Sequence, residues 1–313
     1  MTRRTTLHSL VLLAACGTGS GAPTTPSPAA VASLTVPTAS ASPPSTVRLL
    51  DAGAEPHAPL RIAAELGLAQ QIDMEMDLAM VTQVGPMPPQ HVEVPTTVMV
   101  LRQEITEVAA DGTFRQTFGI DSVSVPGEGE MHTTLREALA PLATLEGWIV
   151  GDPRGQVLGI DLRVADDAPA ATRQSLDNMR DTFRQMLATF PEEPIGIGAE
   201  WEVAQTLTTQ QLSFTQTARY RLRAREGDRI ELATIIVQNA PAQDMPSPQP
   251  GMSMRLERLE GSGEGTAAMT LGGRVLGGQT RLEIRMQNTV TQGEAEPTPM
   301  RITTRVRTRL SGR

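Results

Sequence analysis

The chain has 313 residues, 27 basic and 35 acidic, with a net charge of −8 and 39% hydrophobic residues. Every basic residue is arginine, and the acidic balance argues against a nucleic-acid partner, which rewards clustered positive charge. A single cysteine, Cys16, excludes an intrachain disulfide. Five Phe, two Trp and one Tyr are too few for the two aromatic girdles of a membrane β-barrel.

The N-terminus reads as an export signal over residues 1–15. Arg3 and Arg4 form a positive start, and Leu7 to Ala15 form an apolar stretch too short to span a bilayer. Leu13-Ala14-Ala15-Cys16-Gly17 closes it, and this run resembles the lipobox of bacterial lipoproteins. The resemblance implies lipidation of Cys16, cleavage before it, and anchoring to a membrane. Gly17 in place of Asp implies the outer membrane, with the chain facing the periplasm. Thr6 stands where a twin-arginine signal favours an aromatic residue, so export by the general secretory route is expected. Residues 16–58 are dominated by Pro, Ser, Thr, Gly and Ala. They are expected to form a lipid-anchored, disordered tether that lifts the domain off the membrane.

From residue 59 to residue 313 the dominant signal is alternation with period two. Ile72, Met74, Met76, Leu78 and Met80 share one face, with Asp73, Glu75 and Asp77 on the other. Val94, Thr96, Val98 and Val100 repeat the pattern, and Asp111-Gly112 predicts a hairpin turn before Phe114, Phe118 and Ile120. Helical spacing appears at His132–Leu145, where Pro141 should break or bend the helix. Trp148–Val150 and Val157–Leu162 predict a hairpin turning at Asp152-Pro153-Arg154-Gly155. Asp167–Phe190 predicts a second helix, with Asp167 as cap and an apolar stripe through Leu176, Met179, Phe183, Met186 and Leu187. Strands follow at Trp201–Leu207, Phe214–Leu222, Ile230–Leu232, Leu282–Met286 and Met300–Leu310, with a turn at Glu226-Gly227-Asp228. Residues 240–251 and 291–299 read as Pro-rich loops, and Gly261-Ser262-Gly263-Glu264-Gly265 reads as a Gly-rich loop.

These elements predict a mainly β fold with minor α: a large curved antiparallel sheet or open barrel of about ten strands, with about two helices on its concave side. Two lobes, 59–165 and 194–313, would be joined by helix 167–190. The acidic row Asp73, Glu75, Asp77 and the basic row Arg301, Arg305, Arg307, Arg309 suggest that the first and last long strands are neighbours.

The segment Phe190-Pro191-Glu192-Glu193-Pro194-Ile195-Gly196-Ile197-Gly198-Ala199-Glu200-Trp201 carries a Pro-x-x-x-Gly-x-x-Trp turn. It resembles a recurring segment of an uncharacterised family of bacterial secreted and lipid-anchored proteins. The likeness spans roughly residues 59–240 and implies no catalytic residue. At fold level, a curved sheet with helices on its concave side is similar to the half-barrel of periplasmic lipoprotein carriers.

Chemistry is sparsely signalled. His57, His91 and His132 are mutually distant in sequence, so neither a zinc site nor a histidine base is expected. No nucleophile elbow, phosphate loop or dinucleotide fingerprint occurs. Asp73, Glu75 and Asp77 share a face, but strand spacing sets them about 7 Å apart, too far to grip one ion. Asp166-Asp167 reads as a helix start. The expectation is therefore a non-enzymatic envelope protein without cofactor or metal. It would either bind a lipid or other apolar ligand or act as a scaffold for envelope partners with its core filled; an enzyme whose site the spacing does not reveal is the remaining alternative. Methionine suits surfaces that adapt to varied apolar shapes. Met74, Met76, Met80, Met286 and Met300 from strands, with Met179, Phe183 and Met186 from the helix, are the candidate lining of an apolar pocket.

Overall fold

The computed structural model describes residues 45–163, 189–208, 212–246, 251–293 and 295–313. The export signal, Cys16, the tether up to residue 44 and residues 167–188 of the second predicted helix lie outside the described residues.

The described residues are mainly β, as expected, and form one antiparallel sheet of thirteen strands that does not close. A first meander contains β2 (Ala69–Val84), β3 (Gln90–Val108), β4 (Phe114–Ser124), β5 (Glu146–Gly151) and β6 (Val157–Arg163). The rest comprises β1 (Thr46–Asp51), β7 (Glu200–Thr208), β8 (Ser213–Glu226), β9 (Arg229–Ala240), β10 (Gln243–Met245), β11 (Met252–Thr270), β12 (Val275–Gln292) and β13 (Thr298–Gly312). The strand order is β1-β7-β8-β9-β11-β12-β13-β2-β3-β4-β5-β6, with β10 pairing on β11 beside this path. The expected neighbourhood of first and last long strands is found. β13 pairs antiparallel with β2, placing Arg307 opposite Asp77 and Arg309 opposite Glu75. This single seam joins the two halves of the sheet.

Turn chemistry explains the hairpins. Between β3 and β4 the Asp111 carboxylate accepts the Thr113 amide at 2.9 Å, and Gly112 takes φ +83°. Between β8 and β9, Gly227 takes φ +62°. Pro95 sits inside β3 where the register with β2 shifts between Met76 and Leu78; a bulge there tolerates the missing donor. The expected effect of Pro141 is also seen. The α-helix α1 (Glu130–Leu139) ends just before it, and a 3-10 turn (Ala140–Thr144) follows.

Three strands depart from the sequence expectation. Residues 261–265 are not a loop but the middle of β11, because both neighbouring strands supply continuous ladders. The short β10 falls within the expected loop 240–251. The tether does not extend to residue 58, because β1 pairs with β7 and its Val47 and Leu49 pack against the core. After β1 a strap runs across one end of the sheet. Ala58 and Ile195 exchange two backbone hydrogen bonds of 3.0 Å. Ile62 then donates to Pro153 O, Ala63 to Leu271 O and Gly67 to Ile105 O. The strap thus touches both halves of the sheet, and its backbone donors are satisfied by partners that a free tether would lack.

Apolar packing lies on one face of the sheet. A cluster around Trp201, Phe190, Leu60, Ile195 and Leu222 seals the strapped end. A second, around Met99, Ile120, Leu145, Ile149 and Leu162, packs the β3–β6 end against the residues following α1. A smaller one joins Ala240, Leu256 and Leu259 at the opposite end of β9 and β11.

Candidate functional site

The strand registers place two contrasting surfaces on the middle of the sheet. One row crosses eight strands through Val203, Ala218, Ile236, Gly263, Leu282, Val306, Leu78 and Val94. The adjoining row on the other face reads Ile235, Glu264, Arg281, Arg307 and Asp77. Because side chains alternate along each strand, these rows separate an apolar face from a charged one.

All five described methionines of the candidate lining fall on the apolar face. Met74, Met76 and Met80 alternate along β2; Met300 lies opposite Val84 of β2; Met286 lies opposite Ile302 of β13. All five are half-buried, as are Leu78, Leu282, Ile284, Ile302 and Val306 between them. Met179, Phe183 and Met186 lie outside the described residues. The clusters towards both ends of this face are buried, Met74 packs on the second of them, and Met286 and Ile284 pack on the Ala240, Leu256 and Leu259 cluster, so Met76, Met80 and Met300 are less covered than these ends. β11 presents Gly261, Gly263 and Gly265 to the same face. A Cβ on Gly263 would stand 2.6 Å from the Arg281 carbonyl, so glycine permits close approach of β11 to β12 and leaves this stretch without side chains.

The apolar face is not wholly apolar. Gln238 is buried and donates to Gln216 Oε1 at 2.7 Å, with its side chain lying over Gly261. Asn288, 3% exposed, lies in line with Met286, between Leu256 and Met300 on the flanking strands. Its Nδ2 and Oδ1 both lack a hydrogen-bond partner among the described residues. Such burial costs about 1–3 kcal/mol. The sequence reading missed Asn288; the available signal was its phase, since it continues the Leu282, Ile284, Met286 alternation.

On the charged face the acidic row of β2 is neutralised in place. Arg309 reaches Glu75 at 2.5 Å and Asp77 at 4.0 Å; Arg313 reaches Asp73 at 3.2 Å; Thr96 donates to Asp77 at 2.7 Å. An open trough of about 880 Å3 runs over this face, with Arg281, Glu283, Arg305, Arg307 and Asp77 in its walls. Arg305 holds the Glu283 carboxyl below its ordinary value, with Arg285 adding to the effect. Further along, Arg102 bridges Asp121 at 2.7 Å and Glu146 at 2.5 Å, and lowers the Asp121 carboxyl while its own guanidinium rises. Arg115 lies 4.6 Å over the Trp148 ring. These are charge-neutralising pairs on a solvated surface, where each contributes little.

The histidines are apart in role. His57 Nε2 lies 3.0 Å from the Gly53 carbonyl, the His132 ring lies over Gly127, and His91 is an exposed residue of β3. Among the described residues no group of three or more His, Cys, Asp or Glu could hold a metal ion. Within them no helix is long and apolar enough to cross a membrane.

The segment singled out by its Pro-x-x-x-Gly-x-x-Trp spacing is structural. Trp201 is fully buried, stacks on Tyr220 at 5.5 Å, meets Phe190 edge-on and donates from Nε1 to Thr189 O at 2.9 Å. Gly198 takes φ +87° and donates to Leu222 O. Arg61 and Arg154 clamp the carbonyls of Phe190, Pro191 and Glu192. Burial pushes the Tyr220 phenol up to about 12.

Comparison with known proteins adds a family likeness. Residues 172–271 match a family of unknown function (DUF6263). No curated protein matches the chain. Among solved structures, OmpF of Salmonella typhi in complex with daunomycin is 8% identical over 76% of this chain and 97% of its own, with a TM-score of 0.24. The COG4313 outer membrane channel from Pseudomonas putida F1 is 8% identical over 80% and 98%, at 0.17. A loop-deleted OmpT of Vibrio cholerae is 8% identical over 79% and 100%, also at 0.17. At such scores the likeness carries no argument about fold or function, and the chain's similarity to a family rests on residues 172–271.

Proposed function

We propose that this chain is a non-enzymatic envelope lipoprotein, anchored through Cys16 at the outer membrane and facing the periplasm, that holds an apolar ligand on the methionine face of its sheet. One observation carries the binding part. Between buried clusters, the centre of a mainly apolar face stays half-covered and is lined by flexible Met76, Met80, Met286 and Met300. An apolar strip partly open to water gains by covering, at roughly 25 cal/mol per Å2. Methionine adapts to an occupant of variable shape. The anchoring part is supported by the Leu13-Ala14-Ala15-Cys16 run behind Arg3 and Arg4.

The test is titration of the purified protein with cis-parinaric acid, a fluorescent fatty acid. Saturable binding is expected, and Leu282→Arg, which puts a cation at the centre of the apolar row, should abolish it while the far-UV circular dichroism stays β. Absence of saturable binding by the wild type would overturn the ligand reading and leave a scaffold role. For the anchor, mass spectrometry of the membrane fraction should show a diacylglyceryl group on Cys16; an unmodified cysteine in wholly soluble protein would overturn it.

A further inference from the structure

Asn288 is out of character with its surroundings. Its neighbours on the same face are Met286, Leu256 and Met300, and it is almost completely withdrawn from water. A carboxamide offers two donors and an acceptor, yet neither end finds a partner among the described residues. The strand beside it is irregular. β11 shifts register between Leu256 and Arg258, so the strand facing Asn288 is bulged beside it. Bulges of this kind re-aim side chains and interrupt pairing. From Asn288 the half-buried residues Met286 and Ile284, which pack on the Ala240, Leu256 and Leu259 cluster, and then Leu282 lead back along β12 for about 20 Å at strand rise. A buried unpaired amide at one end and an apolar runway leading from it match an elongated amphiphile.

We infer that the occupant of the apolar face is a long-chain amphiphile whose neutral head both donates and accepts a hydrogen bond, a primary amide or an alcohol, and that Asn288 binds this head. The inference rests on the apolar-ligand reading above and deepens it. At Asn288 a neutral head is favoured over a charged one, although an ionised probe such as cis-parinaric acid still binds the apolar face by its chain. An ionised carboxylate accepts only, so it would leave the Asn288 oxygen unmet. It would also need a cation, and Arg281 and Arg285 of β12 and Arg301 and Arg305 of β13 all alternate onto the opposite face. A primary amide pairs reciprocally with the carboxamide, satisfying one donor and one acceptor on each side.

The experiment compares oleamide with its N,N-dimethyl derivative, which keeps the chain and the acceptor but has no N–H. Each displaces cis-parinaric acid from the full-length protein. Wild type should bind oleamide about tenfold more tightly than the dimethyl amide, since one net hydrogen bond of this kind is worth about a factor of ten. Asn288→Leu should bind both equally. It should also raise the melting temperature of the unliganded protein, because an apolar side chain of similar size replaces an unpaired amide. Asn288→Ser, which keeps a smaller donor and acceptor, should retain part of the preference and guards against a variant that fails to fold. Equal binding of the two amides by wild type overturns the head-group inference alone; this is also the result if a trapped water satisfies Asn288. A lowered melting temperature in both variants overturns it too, since it would mean that the amide already serves the fold. Failure of wild type to bind any of the three chains removes the apolar-ligand reading, and this inference falls with it.

Discussion

Trp201 is the side chain on which the strapped end of the sheet depends, and Trp201→Ala measures that dependence. The ring is fully buried, stacked on Tyr220 and edge-on to Phe190, and its N–H holds the Thr189 carbonyl at 2.9 Å. Truncating a buried tryptophan costs about 3–5 kcal/mol through lost transfer and the cavity left behind. Loss of the hydrogen bond belongs to the same end of that range, because Thr189 O is left without this donor. With a urea slope of about 2–3 kcal/mol per M for a domain of this size, about 4 kcal/mol should move the midpoint down by roughly 1.5 M. The assay is urea unfolding followed by far-UV circular dichroism, with Trp201→Phe as a control that keeps an aromatic ring and should lose less than half as much. A shift below about 0.5 M for Trp201→Ala would refute the reasoning, since it would mean that the cluster closes without its largest member.

Gly196→Ala should be more damaging than its size suggests, because the new Cβ would stand 1.7 Å from the Ala54 carbonyl, where only backbone movement relieves the clash; loss of cooperative unfolding by circular dichroism is expected, and near-wild-type stability would contradict the packing. At the seam, Arg309→Glu should destabilise by about 0.2–1 kcal/mol, and the double exchange Arg309→Glu with Glu75→Arg should recover most of that loss in urea unfolding, since the two residues are direct cross-strand partners; no recovery would argue against the pairing. Stability should fall on acidification: Asp121 and Glu283 have carboxyls held below their ordinary values of 3.8 and 4.5, so their contribution is complete above those values and is lost as pH drops through the lower folded values. Melting temperatures between pH 6 and pH 2 should therefore fall less steeply in Asp121→Asn than in wild type, and an unchanged slope would contradict this.

The sequence was most informative where one physical rule acted alone. Alternation of Met74, Met76 and Met80 with Asp73, Glu75 and Asp77 announced a strand and both of its faces, because one face is apolar and the other solvated. Opposite rows of acid and arginine correctly suggested that β2 and β13 are neighbours, although each such pair is worth too little to dictate a fold; the ladder between them supplies the rest. Pro141 marked where α1 must stop. Legibility failed where a local signal was overruled by neighbours. Gly261, Gly263 and Gly265 have the composition of a loop, yet they sit in a strand because β9 and β12 pair with them on both sides and need close approach. Val47 and Leu49 looked like stray apolar residues in a tether, and only the distant Trp201 cluster gives them a place to pack. At the candidate site, alternation brought Met74, Met76, Met80, Met286 and Met300 to one face, and its phase puts Asn288 there too, but its phase does not show that it is unpaired. That property depends on Leu256 and Met300, contributed by other strands.

If the methionine face carries an apolar occupant, native mass spectrometry of the protein purified gently from cells that express it should show that occupant. A fraction of molecules should carry a non-covalent adduct with the mass of a long-chain amphiphile, released by organic solvent and missing from Leu282→Arg. A single bare mass for wild type, unchanged after incubation with excess oleamide, would contradict it.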